Sequence, residues 1–256
     1  MTRAPYSLTG PAGARGTLGL IVLQADETIE QDFRRLFPAR DVALHVSRIP
    51  SGADLTPATI ARMETDLPRA ASLLPPGAAF DVVGYGCTSG TTLIGADRVA
   101  TLIRGATTTR AVAEPLTAAR AALTALGAGS VAIVSPYIDA VARPVRAAFE
   151  AAGFRVPAIT SFGEESEARV ARIDPASIRA AALSVGRRPG VEAVFLSCTN
   201  LRTLDVIDDL ERALGLPVVS SNQALAWGMA RSSGAPVAAD APGRLFHQFT
   251  TERGPD

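Results

Sequence analysis

Two stretches of the chain share one plan: Val82-Val83-Gly84-Tyr85-Gly86-Cys87-Thr88-Ser89-Gly90 and Ala193-Val194-Phe195-Leu196-Ser197-Cys198-Thr199-Asn200. Each is an apolar, β-branched run that ends in Cys-Thr and gives way to a helix-like pattern, and together they hold the chain's two cysteines. A short continuous apolar run of this kind reads as a strand buried on both faces, as in a parallel sheet. A sulfur at its end lies at the carboxyl edge of that sheet, beside a helix N-terminus whose free N–H groups and dipole favour a thiolate. The competing reading is a core role, because cysteine is among the most buried residue types. One such cysteine would be read that way. Two in the same setting point to a pair of thiols facing one cleft.

The rest of the chain alternates in the same manner. Strands are predicted over 18–23, 42–49, 80–86, 109–113, 130–134, 156–162, 192–197 and 217–220. Asp26 is the expected N-cap of a helix reaching 37, and Thr56 caps the next, with Pro57 at its first position and an end near 74. Further helices are predicted from Cys87 to about 104, from Pro115 to 126, over 139–152, from Asp174-Pro175, over 199–214, and from Asn222 onward. An acidic segment, 163–167, separates two of these elements.

Cys87 and Cys198 lie 111 residues apart, strand 18–23 matches 131–134 at a similar shift, and Asp26 then falls opposite Tyr137. Strand–helix units repeated in two halves predict an α/β fold with two pseudo-symmetric lobes, each a central parallel sheet flanked by helices. Sites in such sheets lie at the carboxyl strand ends, so the active site is expected between the lobes. The expected division is 17–115 with 220–246 for the first lobe and 116–219 for the second, with 1–16 and 247–256 as loose termini.

Composition narrows the chemistry. Every one of the 25 basic residues is arginine, which removes lysine Schiff bases, pyridoxal-phosphate anchoring and the P-loop lysine. The two histidines, His45 and His247, have no partner at metal-ligand spacing, so a histidine triad or metal site is not expected. Formal net charge is zero without a basic stripe, which argues against nucleic acid, and no apolar run reaches membrane-spanning length. The Pro/Gly/Ala-rich start lacks a signal-peptide core, and a cytoplasmic protein is expected. Cysteine is the main nucleophile candidate left.

The segments Gly84-Tyr85-Gly86-Cys87-Thr88-Ser89-Gly90 and Ser197-Cys198-Thr199-Asn200-Leu201-Arg202 resemble the paired cysteine motifs of the Asp/Glu racemase superfamily. Within it they are most similar to the maleate cis-trans isomerase group and the related ectoine-utilisation proteins, as are Ser135-Pro136-Tyr137 and Val170-Ala171-Arg172-Ile173. The resemblance implies a cofactor-free isomerase or racemase, a homo-oligomer, with a small carboxylic acid or amino acid bound between the lobes. It implies Cys87 and Cys198 as catalytic thiols. By the isomerase pattern Cys87 adds to a double bond and Cys198 supplies the proton. Thr88, Ser89, Thr199 and Asn200 are the expected donors to the substrate carboxylate, with Tyr137 adding an O–H; for the hydroxyl residues helix capping is the competing role.

Two positions depart from the isomerase pattern: Asp26 and Glu167 stand where that group carries asparagine. An amide can donate to a dicarboxylate, whereas an ionised acid only accepts and repels it. Both are therefore expected to shape substrate choice, unless Asp26 merely caps its helix and Glu167 is a solvated loop acid. The alternative functions are a cofactor-free decarboxylase of malonate-type acids and a non-catalytic carboxylate-binding relative.

Overall fold

The computed structural model describes residues 3–253 except Leu55, so the readings at 1–2 and 254–256 lie outside the described residues. The first sheet is formed by β1 (Gly16–Leu23), β2 (Val42–Ile49), β3 (Phe80–Gly86) and β4 (Thr109–Ala113), in the order β2-β1-β3-β4. The second repeats that order four strands later as β6-β5-β7-β8, from β5 (Val131–Tyr137), β6 (Ile159–Glu164), β7 (Ala193–Leu196) and β8 (Val218–Ser220). Every strand pairing is parallel. The predicted two-lobe α/β architecture is present. β1, β3, β5 and β7 are central, and their side chains are buried almost throughout because helices cover both faces.

The helices of the first half are α1 (Ile29–Leu36), α2 (Pro57–Ser72), α3 (Thr88–Ile94), α4 (Ala96–Arg104) and α5 (Pro115–Ala125). Those of the second are α6 (Asp139–Ala151), α7 (Glu167–Val170), α8 (Pro175–Gly186), α9 (Leu204–Leu214), α10 (Ser221–Ser233) and α11 (Arg244–Arg253). Local chemistry explains several starts. Thr56 and Thr59 form a reciprocal capping box before Pro57, Asp174 accepts from the Ser177 N–H, and Ser220 and Gln223 cap α10 reciprocally. β8 belongs to the second sheet, yet α10, which follows it directly, packs on β1, β3, β4 and α5 of the first. One strand–helix junction thus ties the lobes together.

The structure corrects several sequence boundaries. The helix predicted from Cys87 to 104 is broken at Gly95, whose φ of +94° no side-chain-bearing residue readily adopts. Asp26 is not the N-cap itself. Thr28 occupies that position, and Asp26 supplies the capping oxygen from two residues earlier. The helix predicted from 199 begins only at Leu204, because the carbonyls that would start it are taken across space: Asn222 Nδ2 donates to Thr199 O (2.8 Å) and Thr28 Oγ1 to Asn200 O (2.9 Å). The sixth strand begins at Ile159 rather than 156. Finally, α11 covers 244–253, a stretch whose end the sequence pattern left without an element.

Candidate active site

The loops after β1, β3, β5, β7 and β8 converge through side-chain hydrogen bonds at the carboxyl edges of both sheets. Cys87 follows β3 as the N-cap of α3, and its Sγ accepts the N–H of Gly90 (3.1 Å). Gly90 is required there, since a Cβ would sit 2.6 Å from the Tyr85 hydroxyl and 2.8 Å from Cys87 Sγ. Cys198 follows β7, accepts the Asn200 N–H at 3.3 Å, and lies 3.1 Å from the Tyr137 hydroxyl. Its φ of +131° makes it the non-glycine residue with positive φ among those described. A backbone held so costs on the order of 1–3 kcal/mol and persists only where neighbours fix it. Here the Cys198 N–H is held by Ser221 Oγ (3.0 Å).

The two cysteine loops are bonded to each other. Ser221 Oγ, while accepting from Cys198, also shares a hydrogen bond with Thr88 Oγ1 (2.8 Å). Thr199 Oγ1 donates to the Gly86 carbonyl (3.2 Å), one residue before Cys87. Replacing Ser221 with alanine strands the buried Cys198 N–H and the Thr88 hydroxyl together. A loss of about 1–3 kcal/mol is expected, read as a lower urea midpoint with an unchanged denaturant slope.

Two buried carboxylates, Glu167 and Asp26, lie among these loops and act electrostatically on both thiols. Glu167 is 1% exposed, so the solvated-loop reading is wrong. Its N–H donates to Ala53 O (3.0 Å), beside an antiparallel bridge between Asp54 and Ser166 that pulls the 163–167 segment under the first lobe. Its Oε1 accepts from the Tyr137 hydroxyl (2.7 Å) and its Oε2 from Asn200 Nδ2 (2.8 Å). Asn200 in turn accepts the Glu27 N–H at Oδ1 (2.9 Å). Asp26 is 3% exposed; its Oδ1 accepts the N–H groups of Thr28 (2.8 Å) and Ile29 (2.9 Å). Burial raises the pKa of both acids above the ordinary carboxylate range, against the hydrogen bonds they receive.

Burial governs the thiols as well. Cys87 is pushed up to about 12 and Cys198 well above its ordinary value, by burial first and then by the negative charge of Glu167 and, behind it, Asp26. The same two acids thus act on both sulfurs, whose loops are joined by the Thr199–Gly86 and Thr88–Ser221–Cys198 hydrogen bonds. The sequence-level expectation of a helix-stabilised resting thiolate is not met. At Cys87 the Gly90 N–H does not outweigh desolvation, and at Cys198 no helix starts until Leu204.

Of the other residues singled out in the sequence, Thr88, Ser89, Tyr137, Thr199 and Asn200 are all buried in this region; Thr199 and Asn200 bond across to the first lobe, Tyr137 and the Asn200 amide bond to Glu167, and Thr88 bonds to Ser221. Sequence reasoning missed Ser221, Asn222 and Asp32. Asn222 Nδ2 donates to Asp32 Oδ2 (2.7 Å), and burial pushes Asp32 up to about 7. The missed signal was the polar run Ser220-Ser221-Asn222 at a strand–helix junction, the same setting as both Cys-Thr pairs. The cysteines are nearly closed off, at 3% and 5% exposure. A cavity of about 470 Å³ between α4, β4, α5 and α10 is lined by Glu114, Trp227 and Arg231 and by neither cysteine. The Ala53–Glu167 contact and the Glu27–Arg172 ion pair (2.8 Å) also tie the loops of this region across the lobes.

The arylmalonate decarboxylase family model matches residues 63–246. The arylmalonate decarboxylase of Bordetella bronchiseptica is 33% identical over 242 residues, covering 91% of this chain and 97% of that protein. The maleate isomerase of Nocardia farcinica (strain IFM 10152) is 27% identical over 241 residues, covering 90% and 95%. A solved structure of a cysteine-to-serine mutant of Nocardia farcinica maleate cis-trans isomerase, with a covalently bound succinylcysteine intermediate, matches with a TM-score of 0.81 at 26% identity, covering 91% and 98%. The motif resemblance put the isomerases first and the decarboxylases second; of these two relatives the decarboxylase is the more similar in sequence. With its two-lobe fold and strand-end cysteines, the chain belongs to the arylmalonate decarboxylase family.

Proposed function

We propose that this chain is a cofactor-independent isomerase of a small carboxylic acid, with Cys87 as nucleophile or base and Cys198 as proton donor. The observation that carries the proposal is the difference between the sulfurs' hydrogen-bond partners. Each sulfur receives a backbone N–H, from Gly90 at Cys87 (3.1 Å) and from Asn200 at Cys198 (3.3 Å), a contact that supports negative charge on sulfur, so the difference lies in what else Cys198 meets. Cys198 lies against the Tyr137 oxygen, and the Tyr137 hydroxyl proton is committed to Glu167. The phenol oxygen is then free to accept the Cys198 S–H, while burial and the charge of Glu167 hold that thiol protonated.

In a cis–trans isomerisation the Cys87 thiolate adds to one alkene carbon while the Cys198 proton goes to the other. The single bond left between them rotates. Cys198 then takes the proton back, the electron pair of that C–H bond re-forms the double bond, and the C–S bond breaks with its pair leaving on the Cys87 sulfur as thiolate. In a racemisation the Cys87 thiolate takes the α-proton on one face and Cys198 delivers one on the other. The succinylcysteine intermediate of the isomerase relative supports the covalent course.

A decarboxylase is the second reading, favoured by the 33% identity to the Bordetella enzyme. There a malonate-type acid would lose one carboxylate as CO₂ and Cys198 would protonate the carbanion, leaving Cys87 without a role. NMR in D₂O with maleate, α-amino acids and phenylmalonate separates the courses: loss of turnover in Cys87→Ser supports the isomerase, and retained CO₂ release in that variant supports the decarboxylase. Because Cys87 is pushed up to about 12, only a small thiolate fraction exists at neutral pH, and that fraction grows as pH rises. Under the isomerase reading kcat/KM should climb with pH from about 6 to 9 without a plateau. A plateau near neutrality would mean that the thiol is already ionised.

The resemblance to isomerases and ectoine-utilisation proteins also supports a cytoplasmic homo-oligomer, which sedimentation and fractionation would test. Among the described residues, no helix is long and apolar enough to cross a membrane.

A further inference from the structure

The two buried carboxylates that act on the thiols differ in how their oxygens are partnered. Glu167 has both oxygens engaged, by Tyr137 and Asn200. Asp26 does not: Oδ1 holds two N–H groups, while Oδ2 is buried with no hydrogen-bond partner among the described residues. The neighbouring Thr199 hydroxyl is near enough to favour the carboxylate, but its proton goes to Gly86 O. Arg48, the cation acting on Asp26, is spent elsewhere. Its Nη1 donates to the carbonyls of Leu23, Gln24 and Asp26, and its Nη2 pairs with Glu30. Asn222, whose Nδ2 is committed to Thr199 O and Asp32, leaves its Oδ1 as a second buried acceptor without a partner.

A buried carboxylate oxygen without a donor is costly, and a site that keeps one is complete only with a ligand that brings the donor. We infer that the ligand carries a cationic N–H group as well as a carboxylate, an α-amino acid rather than a plain dicarboxylate, and that Asp26 Oδ2 receives it. Thr199, the neighbour of Asp26, directly follows Cys198 and donates to the carbonyl of Gly86, directly before Cys87, so an ammonium on Asp26 lies beside the junction of the two cysteine loops. It also offsets the negative charge that opposes ionisation of the thiols. A plain dicarboxylate would instead meet an acid that repels it. This inference rests on the isomerase reading for its chemistry but not for its binding preference.

The test uses matched probes that differ only by the ammonium: L-aspartate against succinate, and L-alanine against propionate, titrated calorimetrically into the whole protein at neutral pH. At least one amino acid should bind roughly 10-fold or more tightly than its partner. Asp26→Asn keeps the capping oxygen, so the fold should survive, as circular dichroism and an unchanged melting temperature would show. In that variant the preference should collapse. Equal or tighter binding of the amine-free acid, no binding by any probe, or a preference that survives Asp26→Asn would each overturn the inference. Deuterium entry at the α-carbon in D₂O is scored separately. An ammonium preference without exchange leaves the inference standing and sinks the two-thiol chemistry; brisk maleate turnover with no ammonium preference does the reverse.

Discussion

Cys87→Ser and Cys198→Ser should each lower kcat by at least about a thousandfold, because a serine hydroxyl neither ionises nor transfers a proton comparably near neutral pH. The swap changes little volume, and both positions keep their backbone bonds: Cys198 N–H to Ser221 Oγ and Thr91 N–H to the Cys87 carbonyl. Stability should therefore change by under about 1.5 kcal/mol. The two variants should fail differently. With its second carbon protonated from water, the Cys87 adduct has no Cys198 thiolate to take that proton back and cannot eliminate, so Cys198→Ser incubated with an alkene substrate should gain the mass of one substrate, as seen by intact-protein mass spectrometry. Cys87→Ser should gain none. Retained turnover in both variants would end the two-thiol account.

The second large effect falls on the Tyr137 contact with Cys198. Tyr137→Phe removes the oxygen that accepts the thiol proton and leaves Glu167 Oε1 unpaired in a buried site. A drop in kcat of about 100- to 1,000-fold is expected, with a stability loss of about 1–3 kcal/mol. Glu167→Gln is the sharper probe. Its amide can still accept from Tyr137 through Oε1, but Nε2 then faces the donating Nδ2 of Asn200. It also removes the negative charge that raises both thiols. The rise of kcat/KM with pH should therefore move to lower pH in Glu167→Gln. A residue with a packing role alone would change the rate without moving the pH profile.

Much of this was legible in the sequence where local chemistry decides. The runs ending in Cys87 and Cys198 are apolar enough to be central strands and nothing else, and their matched spacing carried the two-lobe fold with them. Capping at Thr56 and Asp174 was read correctly because the partners lie within three residues. The failures share the opposite property. Thr199 looks like a helix start, but Thr28 and Asn222, distant in sequence, take the carbonyls that a helix would use. Glu167 looks like a loop acid until Ala53 draws it into the interior. Ser221 holds both cysteine loops, yet its partner Thr88 is 133 positions away and nothing local marks the pair. Asp26 was half legible: its capping oxygen follows from the sequence, and its second, unpartnered oxygen only from the packing around it.

The central claim is that Cys87 and Cys198 work on one small molecule from two lobes. It can be tested without knowing the substrate, by treating the native protein with one equivalent of dibromoacetone, whose two electrophilic carbons flank a single carbonyl, and mapping the modified peptides by mass spectrometry. The account predicts one bridge joining the Cys87 and Cys198 peptides, and no uptake of a second equivalent. Two separately alkylated cysteines, with no bridged peptide, would contradict it.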